Sequence, residues 1–194
     1  MLKELIRKNR SYRRFDQRVA IEEESLRELV ELARLSASGA NRQPLKFVLS
    51  ASAEQNERIF PCLHWAGYLP DWGGPASGER PTAYIIILGD NEISQVCGVD
   101  HGIAAQSIML GATERGWGGC ILGAVERKTL RDVLGLPARY EILLVLALGK
   151  PAENIVIEAA PESGDIKYWR DEAGTHHVPK RSLDELIISV KGAL

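Results

Sequence analysis

Two uninterrupted apolar runs constrain this chain most. TAYIIILG, residues 82–89, and YEILLVLALG, residues 140–149, lack the polar alternation of a half-exposed strand, which is the pattern of strands covered on both faces. A third run, GIAAQSIMLGA, lies inside a helical pattern extending from about Ile93 to Arg115 and is apolar on nearly every side. A helix apolar all round is buried all round. In a chain of 194 residues such burial points to a second subunit covering what one copy cannot, and the length suits one domain over residues 1–194.

The remaining elements surround this core. LKELIRKN, 2–9, gathers Leu2, Leu5 and Ile6 on one side of a short helix, and EEESLRELVELARLS, 22–36, repeats Leu26, Leu29, Val30 and Ala33 at helical spacing. A polar small-residue loop, SASGANRQP, then leads into the strand KFVLSA, 46–51. Ser52 with Gln55 opens a helix that Pro61 disturbs. Gly67 to Pro81 is too rich in glycine and proline for regular structure and has the length of an active-site lid. GCILGAV, 119–125, reads as a strand, and TLRDVLG, 129–135, as a helix stopped by Gly135 and Pro137. A polar linker from Lys150 to about Gly164 precedes a C-terminal extension, 165–194, where Ser182 with Glu185 caps the helix SLDELIISV. The mixture predicts an α+β or α/β sandwich.

Composition removes several function classes. The 24 basic and 26 acidic residues leave a net charge of -2, without the broad basic footprint of a nucleic-acid binder. The longest nearly uncharged stretch, His101 to Thr113, contains Gln106 and Ser107 and is short of the roughly 20 apolar residues of a membrane span. With no secretory signal pattern at the start, a cytoplasmic location is expected. Cys62, Cys97 and Cys120 are odd in number and irregular in spacing, as reduced thiols are.

Against that balanced background the first eighteen residues hold Lys3, Arg7, Lys8, Arg10, Arg13, Arg14 and Arg18 but only Glu4 and Asp16. Forked guanidinium donors with a nearby hydroxyl suit a phosphate, so Arg10, Ser11 and Arg13 of RSYR are candidates for a local anion site, the alternative being a solvated helix end. In SASGANRQP small residues permit close approach, and the amides of Asn41 and Gln43 can recognise a heterocycle's edge; the alternative is a plain helix-to-strand turn. RGWGGCILGA, 115–124, exposes main-chain donors between helix and strand but lacks the G-x-G-x-x-G spacing of a dinucleotide fold. HHVPKR adds Lys180 and Arg181, which matter to the first cluster only where the fold brings them close. Cys62, His64, Cys97, His101, His176 and His177 do not form two tight ligand pairs, so no metal is expected. Cys120 lacks a local histidine that would make it a nucleophile.

Taken in order, RSYRRFD before a leucine-rich helix, SASGANRQP, a buried helix running into GWGGCILGA, then LGLPARYEILLVLALGKPAE and a basic C-terminal segment resemble the FMN-dependent nitroreductase family over nearly the whole chain. The resemblance implies a three-layer α/β/α sandwich with a mixed, mainly antiparallel central sheet, and a homodimer with FMN in two interfacial clefts. It implies that Arg10, Ser11 and Arg13 hold the phosphate and the pyrimidine side of the ring. Ala37, Ser38, Gly39, Asn41 and Gln43 would reach the flavin from the facing subunit or its rim. Leu122 and Gly123 would present main-chain groups near N5 and O4, and Lys180 or Arg181 would close on the phosphate. The chain departs from the family at Ala37, where proline is common, at Leu45, where tryptophan is common, and at Asn9, often arginine.

The implied activity is ping-pong transfer of electrons from NAD(P)H through FMN to a small electron-poor acceptor such as a nitroaromatic or quinone. Flavin N5 carries the chemistry, which agrees with a sequence offering no catalytic triad. Trp65, Tyr68 and Trp72 are candidates for a stacking acceptor pocket, with core packing as the alternative. A dehalogenase, ene-reductase or flavin-consuming enzyme on the same scaffold, or a non-enzymatic FMN sensor, remain competing classes. No nucleic acid or membrane partner is expected.

Overall fold

The computed structural model describes residues 1–188. Its centre is a five-stranded sheet made of β1 (Phe15–Asp16), β2 (Leu45–Ser50), β3 (Ala83–Asp90), β4 (Gly118–Leu122) and β5 (Tyr140–Pro151). The path runs β1-β5-β3-β2, with β4 also pairing β5, and every one of these pairs is antiparallel. A parallel bridge between Ser11 and Gly119 adds a mixed element at the β4 side of this sheet.

Both faces of the middle strands are covered, for the reason the apolar runs imply. Alternate residues of β3 divide between two cores: Ile85 and Ile87 join one cluster, Tyr84, Ile86 and Leu88 the other. In β5, Leu146 and Leu148 fall on the first side, Val145 and Ala147 on the second. Leu26 and Leu29 of α2 (Glu23–Arg34) and Ala105, Ile108 and Ala112 of α4 (Asp100–Glu114) seal the first face. Ile59 of α3 (Ala53–Ile59) and Leu130 of α5 (Arg127–Leu134) seal the second. The result is the expected α/β/α sandwich. Ser52 accepts from the Gln55 backbone to start α3, and Gly135 ends α5 at φ 61°, a left-handed turn that glycine adopts without a Cβ penalty.

Four expectations change. The helix drawn from Ile93 begins only at Asp100, because turns on Asp90 and a left-handed Gly98 at φ 54° occupy the intervening residues. The strand drawn to Val125 ends at Leu122. The polar linker contains a strand, β6 (Ile155–Ala159), which pairs in parallel with β8 (His176–Lys180); β7 (Trp169–Arg170) completes a small second sheet. Nor is α4 buried all round within one copy: Ile103 is 36% exposed. The short α1 (Leu2–Lys8) buries none of its residues, leaving Leu2 and Ile6 exposed. At the C-terminus, the Ser182–Glu185 capping box opens α6 (Leu183–Leu186), while the end of the expected helix, 189–190, lies outside the described residues.

Candidate functional site

The opening basic cluster is sorted by burial and partners. Arg7, Arg14 and Arg18 each face a carboxylate, from Glu4, Glu79 and Asp16. Arg10 and Arg13 have none among the described residues, and the Nε of each is buried without a hydrogen-bond partner there. Arg13 is 8% exposed. Its Nη1 donates to the Ser11 carbonyl and to His176 Nε2, both at 3.2 Å. Its guanidinium carbon lies 4.7 Å from the centre of the Tyr168 ring. Burial also lowers the Arg10 guanidinium below its ordinary value. Cations withdrawn from water without counter-charges are costly unless a ligand supplies one, so the buried Arg13 and the half-buried Arg10 fit an anionic group.

The chain segment carrying them is fixed at both ends. Tyr12 N–H donates to the Gly119 carbonyl at 2.9 Å, which continues the bridge of Ser11 to β4. Glu153 Oε1 accepts the backbone N–H of Arg13 and, at 3.2 Å, that of Arg14; Oε2 accepts from Arg170 at 3.1 Å. The C-terminal segment therefore does reach the first cluster, through His176 and Tyr168. Lys180 and Arg181 do not: β8 runs on from His176 for four residues, roughly 13 Å at strand rise, and Arg181 pairs with Glu185. Burial, then the charges of Arg13 and Arg170, push His176 down to about 4. Cys120 also lies beside Arg13, but burial pushes its thiol up, which leaves no reactive thiolate.

A groove of about 200 Å³ opens at this point, lined by Arg10, Ser11, Gln106, Met109 and Gly119. A larger one of about 480 Å³ lies where Ala37, Ser38, Gln43 and Phe47 meet Asp100 and Ala104. Both abut α4, yet no hydrogen bond among the described residues joins residues 36–44 to residues 10–13. The 36–44 loop is fastened to α4 instead. Ser38 Oγ donates to Asp100 Oδ2 at 2.6 Å, the Gly39 N–H donates to Oδ1 at 2.9 Å, and Ser36 and Ser107 hydroxyls meet at 2.7 Å. Ser38 and Gly39 thereby spend these groups on the loop itself. The Ala37, Asn41 and Gln43 side chains are exposed. Leu122 is buried as the last residue of β4, and Gly123 follows it at the surface.

The three aromatic candidates separate. Trp65 is 8% exposed and packs in the second core cluster, with its ring 5.9 Å from Phe60. Trp72 is half-buried beneath Arg170, whose guanidinium lies 4.3 Å from its ring. Tyr68 is open to solvent, and its ring lies 4.9 Å from Tyr168. The 67–81 loop is thus fastened to the C-terminal segment and, through Tyr168, to Arg13.

Sequence reasoning passed over Asp100, Glu153, Tyr168 and Arg170, and it weighed His176 only as a metal ligand. No group of three or more His, Cys, Asp or Glu among the described residues is arranged to hold a metal, and no described helix is long and apolar enough to cross a membrane.

Known proteins share this architecture. A curated relative from Archaeoglobus fulgidus, whose name marks it as a candidate NADH dehydrogenase or NAD(P)H nitroreductase, is 26% identical over 158 residues, 77% of this chain and 85% of its own. The solved structure of an FMN-dependent nitroreductase from Clostridium difficile superposes with a TM-score of 0.65 at 24% identity, covering 77% of this chain and 87% of that one. An NADPH:FMN oxidoreductase from Vibrio harveyi, solved with NAD+, superposes at 0.64 and 23% identity, covering 83% and 74%. The sequence model of the Nitroreductase family matches residues 6–67 and 79–150, the stretch that holds both grooves and all five central strands up to Lys150, and the chain belongs to that family.

Proposed function

We propose that this protein is an FMN-dependent oxidoreductase that takes electrons from NAD(P)H and passes them to a small electron-poor acceptor, such as a nitroaromatic or a quinone, in a ping-pong cycle. The observation that carries this reading is Arg13, a buried guanidinium with no carboxylate partner among the described residues and an unsatisfied Nε. It is close in the chain to Arg10 and Ser11, which line a groove and of which Arg10, half-buried, also has no carboxylate there.

When bound, FMN supplies the hydride chemistry itself. The chain's part is to bind, orient and polarise. Arg10 and Ser11 hold the phosphate end, and Arg13 faces the pyrimidine edge, where its charge favours the anionic reduced ring. Gly119 lets this edge lie close to β4. The 36–44 loop serves a second copy: in one chain it is anchored away from Arg13, so a homodimer brings the Asn41 and Gln43 of one copy against the groove of the other. The exposed faces of α1 and Ile103 on α4 support that arrangement. Leu122 and Gly123 stand at the reactive side of the ring. Lys180 and Arg181 take no part in their own chain's groove. Tyr68 and Trp72 in the 67–81 loop are the residues on which a flat acceptor would stack.

The test is a purified sample. Flavin absorption bands, release of FMN on denaturation, and acceptor-dependent oxidation of NADH or NADPH are expected. A colourless protein that takes up no FMN in excess overturns the reading; flavin binding without turnover leaves a flavin-binding protein in its place.

A further inference from the structure

Arginine carries donors only, so the contact between Arg13 Nη1 and His176 Nε2 requires Nε2 to accept. The imidazole proton then sits on Nδ1, which is buried without a partner among the described residues. A protonated ring would set donor against donor and cation against cation. The charged and titratable groups that act on His176 are Arg13, Arg170 and His177, and all three oppose a charge on it. Tyr168 closes the remaining side, with its ring 5.1 Å from the imidazole and 4.7 Å from the Arg13 guanidinium.

The same ladder holds the Arg13 backbone. His176 pairs in register with Ile155, and its N–H donates to the Asn154 carbonyl at 2.8 Å, next to Glu153, which accepts the Arg13 and Arg14 backbone N–H groups. Glu153, just before β6, and His176, the first residue of β8, therefore grip Arg13 twice, main chain by a carboxylate and side chain by a neutral base. The division has a physical consequence. A carboxylate on the guanidinium would cancel much of its field, whereas a neutral imidazole fixes its direction and leaves the full charge for whatever lies in the groove.

We infer that His176 is the positioning residue of Arg13: it aims the guanidinium at the cofactor edge while leaving its charge unneutralised, with Tyr168 as the plate that keeps both planar groups in place. The inference rests on the flavin reading of the groove.

The test compares wild type with His176→Gln, His176→Leu and Tyr168→Leu. Three quantities are measured: the FMN dissociation constant by flavin fluorescence, the midpoint potential of the bound flavin, and the thermal midpoint of the flavin-free protein. Glutamine keeps a neutral acceptor, so affinity and potential stay close to wild type. Leucine removes the acceptor, so affinity falls roughly tenfold or more, the scale of a hydrogen bond to a charged group, and the potential moves to more negative values. Tyr168→Leu shifts both in the same direction and carries the test should His176→Leu not fold. The inference is overturned when the leucine variants match wild type in affinity and potential, or when glutamine loses as much as leucine, which would make the ring's volume the cause. A wild type that binds no FMN overturns the flavin reading itself, and this inference with it.

Discussion

The Ser38 hydroxyl and the Asp100 carboxylate meet at 2.6 Å, and the same hydroxyl accepts the Gln43 backbone N–H at 2.9 Å. Between and beside these anchors Ala40, Asn41 and Gln43 hold φ of 51°, 53° and 52°, a region that costs residues with a Cβ roughly 1 kcal/mol or more each. The clasp to α4 offsets that strain. Asp100→Ala is expected to lower stability by about 1–3 kcal/mol, because it removes two hydrogen bonds to a buried carboxylate and frees a strained loop. Thermal unfolding checks this, and FMN titration of the same variant shows weaker binding. An unchanged melting midpoint would show that the loop holds itself.

Arg13 and Arg18 lie five residues apart and differ in everything that matters for a ligand. Arg18 is solvent-exposed and paired with Asp16 at 2.8 Å, whereas the Arg13 guanidinium is buried and faces no carboxylate among the described residues. Arg13→Ala is expected to weaken FMN retention by about 10- to 100-fold, the range for hydrogen bonds to a charged group, while Arg18→Ala leaves it unchanged. Equilibrium dialysis of the two variants decides it. Equal retention would remove the anion site.

His176 and His177 respond to acid in opposite senses. His177 is raised above 6.5, first by its hydrogen bond to Glu158 and further by Asp171, so its contribution is complete below the unfolded value and disappears as pH climbs through the folded one. His176 is depressed from 6.5 to about 4, so the unfolded chain takes up a proton first, and stability drains as pH falls from 6.5 through 4. Melting curves from pH 4 to 9 are expected to show His177→Gln destabilised at pH 6 and near wild type at pH 9. His176→Gln flattens the acid limb instead. Parallel pH profiles for both variants and wild type would contradict these assignments.

Two glycines test close packing against different neighbours. A Cβ at Gly119 would lie 2.4 Å from the Ala147 carbonyl oxygen, a backbone atom that cannot move aside; at Gly111 it would meet the Leu32 side-chain tip at 2.2 Å, and Leu32 is 36% exposed and free to turn. Gly119→Ala is therefore expected to cost more than Gly111→Ala, within the roughly 1–3 kcal/mol of overpacked sites. Chemical denaturation ranks them. The reverse order would mean that β4 shifts more readily than the α2–α4 contact.

What could be seen in the sequence was whatever depends on near neighbours. The unbroken apolar runs of β3 and β5, the serines before α3 and α6 and the glycine after α5 each act within a few residues, so periodicity and capping found them. β6 escaped because Ile155–Ala159 is only half-buried and its partner β8 lies some twenty residues on. Gly98 delays the start of the helix by a turn whose left-handed backbone no periodicity displays. Charge counting located the basic cluster but not which members were buried and unpaired, since the carboxylates that quiet Arg14 and the histidine that braces Arg13 come from distant positions. Trp65 was placed in a pocket by its neighbourhood of glycines and prolines, yet it packs into the core beside Phe60.

Arg13 and His176 are 163 residues apart along the chain. Synthesis runs from the arginine toward the histidine, so a nascent polypeptide carries an unbraced guanidinium until the histidine has been added. The brace closes only after residue 176 has cleared the exit tunnel, so a chain interrupted before that point holds any ligand at Arg13 without its positioning contact.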